Sequence, residues 1–192
     1  MSTEDNRGLE GVVAAATRLS SVDGEAGELL LAGFPVEEIA PRATFEEMVH
    51  LLWSGELPSA AELTELTRRL ASRRALPGAV VDLLRAAAGR RLPVMDALRM
   101  GTGALRLASD EKEDPQEDAV TLVAAFPTIV AAYWRLLEGA PPVEPRADLG
   151  HTASYLHLLF GEEPASERVR GLETYLNTVS DHGLNASTFT PG

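Results

Sequence analysis

Residues 116–138 read QEDAVTLVAAFPTIVAAYWRLLE, and this stretch decides the fold class of the chain. From Ala119 to Trp134 it contains 16 residues without a charge. A membrane-spanning helix needs about 20 apolar residues, so the run indicates a buried core helix and no membrane span. Pro127 lies within it, and we expect a kink there because proline cannot donate the backbone hydrogen bond of that turn.

Helical patterns extend on both sides of this core helix. Thr44 with Glu47, and Ser59 with Glu62, form capping boxes, in which each side chain bonds the backbone amide of the other residue. Apolar residues follow each box at helical spacing. About eight helices are predicted, beginning at Pro35, Thr44, Ser59, Pro77, Pro93, Gln116, Asp148 and Ser166. The last helix is expected to reach about Ser180 and to end near Gly183.

Two short apolar runs near the N-terminus, residues 17–24 and 27–33, flank the turn dipeptide Asp23-Gly24. This arrangement predicts a small β-hairpin, the only sheet expected in the chain. Nothing further along alternates helix with buried strand, as a parallel α/β sheet requires. The sequence therefore predicts an all-α domain with a small N-terminal β-hairpin.

The composition excludes several classes of function. The chain has 192 residues, a formal net charge of −12 and no cysteine. Nucleic-acid binding needs a basic surface, so the acidic balance argues against it. Without cysteine there is no disulfide and no thiolate metal site. The first residues, MSTEDNRGLEG, lack the pattern of a signal peptide, which together with the missing cysteines favours the cytoplasm.

Three of the four histidines give no clear functional pattern. His50 and His157 lie in apolar helical segments, where a lone histidine is usually a hydrogen-bonded structural residue. His151 and His157 are six positions apart and do not share a helix face as paired metal ligands would. Gly101-Thr-Gly103 lacks the further glycines of a phosphate loop. We therefore expect neither a metal nor a bound cofactor.

His182 is the strongest candidate for a functional residue. It lies in SDHGLNASTF, residues 180–189, where the last predicted helix ends. If Gly183 is the residue that follows the helix, the negative end of the helix dipole favours a protonated imidazole. Asn185, Ser187 and Thr188 add hydrogen-bond donors suited to a small dicarboxylate. The alternative is a polar connection between two helices.

The segment DHGLNASTF resembles the citrate synthase motif written D/E-H-x-x-N-A-S-T. Other segments are similar to that family in the same order along the chain. They are GLEGVV (8–13), TRLSSVDGE (17–25), GFPVEEI (33–39), TFEEMVHLLWSGELP (44–58), FPTIVAA (126–132) and DLGHTASYLH (148–157). Each block alone is weak, but together they cover nearly the whole chain and are specific.

This resemblance implies an all-α fold in which residues 1–192 form the N-terminal part of the large domain. It also implies a homodimer packed through antiparallel helices. The implied enzyme is an acyltransferase that condenses acetyl-CoA with oxaloacetate to citrate, with acyl-CoA as a substrate and no further cofactor. In the family the histidine of this motif is hydrogen-bonded to oxaloacetate, so His182 takes that catalytic and substrate-binding role. Asn185 is expected beside it as a second substrate-binding residue.

Some features depart from the family pattern. Val179 stands where many members have a second histidine, and Leu92-Pro93 stands where many have His-Pro. These departures concern the substrate, so the alternative is a 2-methylcitrate synthase, which uses propionyl-CoA. The family's small CoA-binding domain, C-terminal helices and other catalytic groups have no match here, so we expect the chain to be inactive without a C-terminal half. A third possibility is a non-catalytic dimerisation module with residues 119–134 as its interface.

Overall fold

The structure, a computed structural model, describes residues 17–108 and 114–183. These residues form a three-stranded antiparallel sheet followed by eight α-helices. The strands are β1 (Ser20–Asp23), β2 (Glu28–Leu31) and β3 (Phe34–Pro35). The helices are α1 (Val36–Ile39), α2 (Phe45–Ser54), α3 (Ala60–Ser72), α4 (Gly78–Gly89), α5 (Val94–Ala104), α6 (Pro115–Leu137), α7 (His151–Phe160) and α8 (Ser166–Thr178). A 3-10 turn, Leu105–Ala108, follows α5. The predicted all-α class with a small N-terminal sheet is confirmed.

The predicted hairpin is formed by β1 and β2, with Ser20 opposite Leu31. The Asp23 side chain closes its turn, because Oδ1 accepts hydrogen bonds from the backbone amides of Glu25 at 3.0 Å and Ala26 at 2.9 Å. On the other side of β2, the two residues of β3 add a third strand that the sequence analysis did not predict. Two residues are too few to show the alternation that marks a strand.

Both predicted capping boxes are confirmed. The Thr44 side chain accepts from the Glu47 amide at 3.2 Å, and Glu47 Oε2 accepts from the Thr44 amide at 2.6 Å. Ser59 and Glu62 make the same reciprocal pair at the start of α3. These contacts join residues three positions apart, so the local sequence is sufficient to predict where α2 and α3 begin.

Helix α6 is the central helix of the described structure. It packs against α3, α4, α5 and α7. Its inner side is buried, and Val120, Ala124, Ala125, Ile129 and Tyr133 are each at most 1% exposed. By length and composition α6 is the one helix among the described residues that could cross a membrane. However, its inner side is covered by other helices, as expected for a buried core helix. The helix does not end at Pro127 but continues through it.

The closest approach in this core joins α5 to α6. If Gly101 of α5 carried a Cβ atom, that atom would lie 3.0 Å from Ile129 Cγ2 and 3.4 Å from Ile129 Cδ1. Such separations are shorter than ordinary contact between carbon atoms. The Tyr133 hydroxyl of α6 also donates a hydrogen bond to the backbone carbonyl of Leu92, just before α5. The small residue Gly101 and the hydrogen bond from Tyr133 thus fix how α5 packs on α6.

Helix α7 begins at His151, and the predicted start at Asp148 was wrong. Asp148 instead accepts a hydrogen bond from the Arg146 guanidinium at 3.0 Å. The first amide of α7 is bound by a residue from α2, because Glu46 Oε1 accepts from the His151 backbone N–H at 2.7 Å. An acceptor this distant in sequence leaves no local pattern, so the start of the helix could not be read from the residues around it.

His151 is buried where α2 meets α7, with 4% of its surface exposed. Its ring stacks on Phe45 with the centroids 4.4 Å apart, and its Nδ1 atom has no hydrogen-bond partner in the part of the chain that the structure describes. Removal from water lowers the pKa of His151 to about 3, and the positive charge of Arg74 acts in the same direction. The imidazole is therefore neutral in the folded chain at neutral pH.

Replacing Gly101 with valine is expected to destabilise the chain. The added methyl groups would overlap Ile129, and overpacking of a tight core typically costs about 1–3 kcal/mol. Gly103→Val in the same helix is the matched control, because a Cβ at Gly103 meets nothing within 4 Å. Chemical denaturation of the two variants measures the difference. Equal losses of unfolding free energy would contradict the close α5–α6 contact.

The His151 site predicts a loss of stability on mild acidification. The unfolded chain takes up a proton at this imidazole near pH 6.5, whereas the folded chain takes it up only near pH 3. Above pH 6.5 the imidazole is neutral in both states, so it causes no pH dependence. As the pH falls from 6.5 towards 3, the free energy of unfolding decreases by about 1.4 kcal/mol per pH unit.

We expect His151→Phe to remove this component of the pH dependence, because the replacement ring cannot titrate and can still stack on Phe45. His157→Gln is the control, since it leaves the buried imidazole in place. Urea unfolding between pH 7 and pH 4.5 measures both slopes. If His151→Phe has the slope of the parent chain, the imidazole is not neutral and buried as described.

Candidate functional site

Helix α8 leads to the predicted site and is held by charged side chains against the turn before α2. Arg170 donates hydrogen bonds to the backbone carbonyls of Arg42 at 2.8 Å and Ala43 at 3.1 Å. Glu173 Oε1 accepts from the backbone amide of Phe45 at 3.0 Å. Burial raises the pKa of Glu173, and the hydrogen bond from Phe45 opposes that rise. These contacts fix which side of α8 faces the rest of the chain.

Helix α8 ends at Thr178, so its predicted extension to Ser180 was wrong. The backbone carbonyl of Asn177 accepts from the Ser180 hydroxyl at 2.8 Å and from the Ser180 backbone N–H at 3.4 Å, a tighter turn that closes the helix. Gly183 therefore does not directly follow the helix. The dipole of a helix acts only within its last turn, so it gives no reason for a protonated His182.

His182 is exposed on the short loop that follows α8. The backbone amide of Gly183 donates to Asp181 Oδ2 at 3.2 Å, which makes a tight turn across His182. Gly183 has a φ of 89°, a left-handed conformation that glycine adopts without steric cost. The turn holds an accessible imidazole, which can donate a hydrogen bond to an anionic ligand.

The His182 loop lies against the N-terminal sheet. A Cβ atom placed on Gly183 would be 3.8 Å from the Ser20 hydroxyl oxygen of β1. That hydroxyl is buried and has no hydrogen-bond partner within residues 17–108 and 114–183, although it can both donate and accept. Ser20 could not be predicted as a neighbour of this loop, because no spacing or motif connects β1 with the residues after α8. The tertiary fold brings the two segments together.

Asn185, the second predicted substrate-binding residue, lies outside the described residues. The same holds for Ser187 and Thr188. The structure thus brings the loop that carries His182 close to Ser20, while the role of Asn185 stays a prediction.

The other histidines make contacts away from this loop. His50 Nδ1 lies 3.0 Å from the backbone carbonyl of Glu56, and His157 Nδ1 lies 3.2 Å from that of Glu162. Both contacts are local and link a helix to the residues that follow it. Within residues 17–108 and 114–183, no three side chains of histidine, aspartate or glutamate come together as metal ligands would.

Residues 8–191 match the family model described as citrate synthase, C-terminal domain. The chain belongs to the citrate synthase family. The match includes the His182 loop and all of the described helices. It agrees with the resemblance that the sequence blocks, the segment around His182 included, together indicate.

Curated members of the citrate synthase family are similar to nearly the whole chain. The citrate synthase of Haloferax volcanii is 40% identical over 199 residues, which cover 99% of this chain and 52% of the relative. The 2-methylcitrate synthase of Mycobacterium tuberculosis is 36% identical over 191 residues, which cover 95% of this chain and 47% of the relative. The chain spans about half the length of the curated relatives it matches.

Solved citrate synthases share the fold. The enzyme from Pyrobaculum aerophilum superposes with a TM-score of 0.83 at 34% identity, over 94% of this chain and 48% of that one. A citrate synthase from Thermoplasma acidophilum, solved in a ternary complex with carboxymethyl coenzyme A and oxaloacetate, superposes with a TM-score of 0.80 at 25% identity. It covers 94% of this chain, again over 48% of the solved chain.

Proposed function

We propose that this chain provides an oxaloacetate-binding part of an enzyme that condenses acetyl-CoA with oxaloacetate to citrate and CoA. The observation that carries the proposal is the exposed imidazole of His182, held on a tight turn in a segment that resembles the family motif D/E-H-x-x-N-A-S-T. The complex of the Thermoplasma enzyme supports oxaloacetate and an acyl-CoA as the two substrates.

The reaction requires more groups than His182. A base must remove a proton from the thioester methyl group, and the resulting enolate carbon attacks the ketone carbon of oxaloacetate. Water then cleaves the thioester and releases CoA. In this proposal His182 donates a hydrogen bond to oxaloacetate, which orients it and stabilises charge that develops on its oxygen. The base and the enolate donor are assigned to the half of the relatives that has no counterpart in these 192 residues.

The proposed enzyme needs no cofactor or metal, because a thioester enolate forms by proton transfer alone and acyl-CoA is a substrate. We place it in the cytoplasm, on the ground that the chain contains no cysteine.

The similarity to a 2-methylcitrate synthase supports a second candidate, in which propionyl-CoA replaces acetyl-CoA. Steady-state rates of the complete enzyme with each acyl-CoA distinguish these two.

The partner proposed for this chain is a second copy of itself. Three large apolar side chains of α6, spaced along one face, remain exposed: Leu122 at 36%, Phe126 at 39% and Trp134 at 49%. We call this set the outer stripe of α6. Contiguous apolar surface of this kind marks interaction sites. Antiparallel packing of two copies through the outer stripe would cover it.

Replacing His182 with alanine is expected to weaken oxaloacetate binding. A hydrogen bond to a charged group is worth about 1.5–3 kcal/mol, which corresponds to a KM for oxaloacetate about 10–100-fold higher. His157→Ala is the matched control and should leave this KM unchanged, because the His157 ring bonds the Glu162 carbonyl, away from the His182 loop. Steady-state kinetics of the complete enzyme measure both. Unchanged affinity and turnover in His182→Ala would exclude the proposed role.

A charge in the outer stripe is expected to separate the dimer. Phe126→Asp would place a carboxylate in the apolar contact, and desolvating that charge without a partner is strongly unfavourable. Tyr175→Asp, at a position 62% exposed on α8, is the control. Sedimentation velocity should give a monomer for the first variant and a dimer for the second. A dimer that survives Phe126→Asp would contradict the proposed interface. A dimer that binds no oxaloacetate would favour a non-catalytic module.

A further inference from the structure

Asn177 is a fully buried polar residue five positions before His182, with 0% of its surface exposed. Its side-chain Nδ2 donates hydrogen bonds to two backbone carbonyls of the turn before α2, that of Ala40 at 3.2 Å and that of Ala43 at 2.8 Å. Burying an amide without such bonds would be costly, so the two contacts hold the last turn of α8 in one place.

The backbone of the same residue is bound from the other direction. The Asn177 carbonyl accepts hydrogen bonds from the Ser180 hydroxyl at 2.8 Å and from the Ser180 backbone N–H at 3.4 Å, at the point where the chain leaves the helix. Gly183 then donates to Asp181, which completes the turn that carries His182. Asn177 therefore contacts two segments. Its side chain binds the turn before α2, and its carbonyl binds Ser180 at the start of the His182 loop.

These contacts are more than helix packing requires. Glu173, one helical turn earlier, already binds the first amide of α2, and Arg170, two turns earlier, binds the turn before it. An apolar side chain at 177 would fill the same buried space without the need to satisfy an amide. The Asn177 Oδ1 atom is also buried and has no hydrogen-bond partner among the described residues, which is a cost that packing alone does not explain.

We propose that Asn177 is a positioning residue for the oxaloacetate site, acting on His182 through Ser180. The inference rests on the proposed function, because it assigns Asn177 to the residue that binds oxaloacetate. The side chain sets where α8 ends, and the carbonyl sets the direction in which the loop leaves. Small displacements of a binding group are costly because its hydrogen bond depends on distance and angle.

The test is a double-mutant cycle in the complete enzyme with Asn177→Ala, His182→Ala and the combination of the two. Asn177→Ala is expected to raise the KM for oxaloacetate by about tenfold, the effect of a slightly misplaced binding group, while the KM for acyl-CoA stays unchanged. In the His182→Ala background the same change should have no further effect on the KM for oxaloacetate, because its influence passes through that imidazole.

A second pair of variants keeps the proposal testable if Asn177→Ala does not fold. Ser180→Ala removes only the hydroxyl bond to the Asn177 carbonyl and should also raise the KM for oxaloacetate, whereas Ser180→Thr keeps a hydroxyl and should restore it. Thr178→Ala is the control, since its hydroxyl bonds only to the Thr174 carbonyl within α8.

Two outcomes would overturn the proposal. The first is an equal effect of Asn177→Ala with and without His182, which would make its role independent of the imidazole. The second is an unchanged KM for oxaloacetate in folded Asn177→Ala or in Ser180→Ala. If His182→Ala alone leaves oxaloacetate binding unchanged, the proposed function fails first and the positioning role falls with it.

Discussion

Helix α6 is the element on which the arrangement of the others depends, because its apolar inner side has to be covered. Helices α3, α4, α5 and α7 meet that requirement, and the small residue Gly101 lets α5 approach Ile129 of α6 at close range. Helix α7 in turn contacts α8, whose end leads into the His182 loop. The position of the His182 loop thus depends on the burial of α6, through the contacts of α6 with α7 and of α7 with α8.

Apolar packing does not by itself determine how α7 and α8 lie on this core. That is the role of polar side chains that bind backbone groups of distant segments. Glu46 of α2 binds the first amide of α7, while Glu173 of α8 binds the first amide of α2. Hydrogen bonds of this kind depend on direction, so they select one arrangement among those that bury similar apolar area. The site therefore depends on a polar junction assembled from α2, α7 and α8.

Features that depend on neighbouring residues were predictable from the sequence. The capping boxes at Thr44 and Ser59, the hairpin turn at Asp23 and the core helix around residues 119–134 all rest on short-range patterns, and the structure contains each of them. The start of α7 and the end of α8 were placed wrongly. The first is set by Glu46, over 100 positions away, and the second lies where the Ser180 hydroxyl and backbone N–H both bond back to the Asn177 carbonyl.

The candidate site divides in the same way. His182 could be predicted from the sequence because its motif consists of consecutive residues, and its role stays a prediction. Ser20 and Asn177 were not, since the first meets the loop only through the fold and the second belongs to an otherwise ordinary helix. The helix-dipole argument for a charged His182 also failed, because α8 ends before the loop begins. The candidate site therefore rests on the exposed imidazole of His182, which lies in a segment that matches the citrate synthase family.

The central claim is that this imidazole contacts oxaloacetate. A crystal structure of the complete enzyme with oxaloacetate bound would test it most directly. The account predicts a His182 ring nitrogen about 3 Å from an oxaloacetate oxygen, with the loop still held by Asn177 and Ser180. Oxaloacetate bound elsewhere, with the His182 ring facing only solvent, would contradict it.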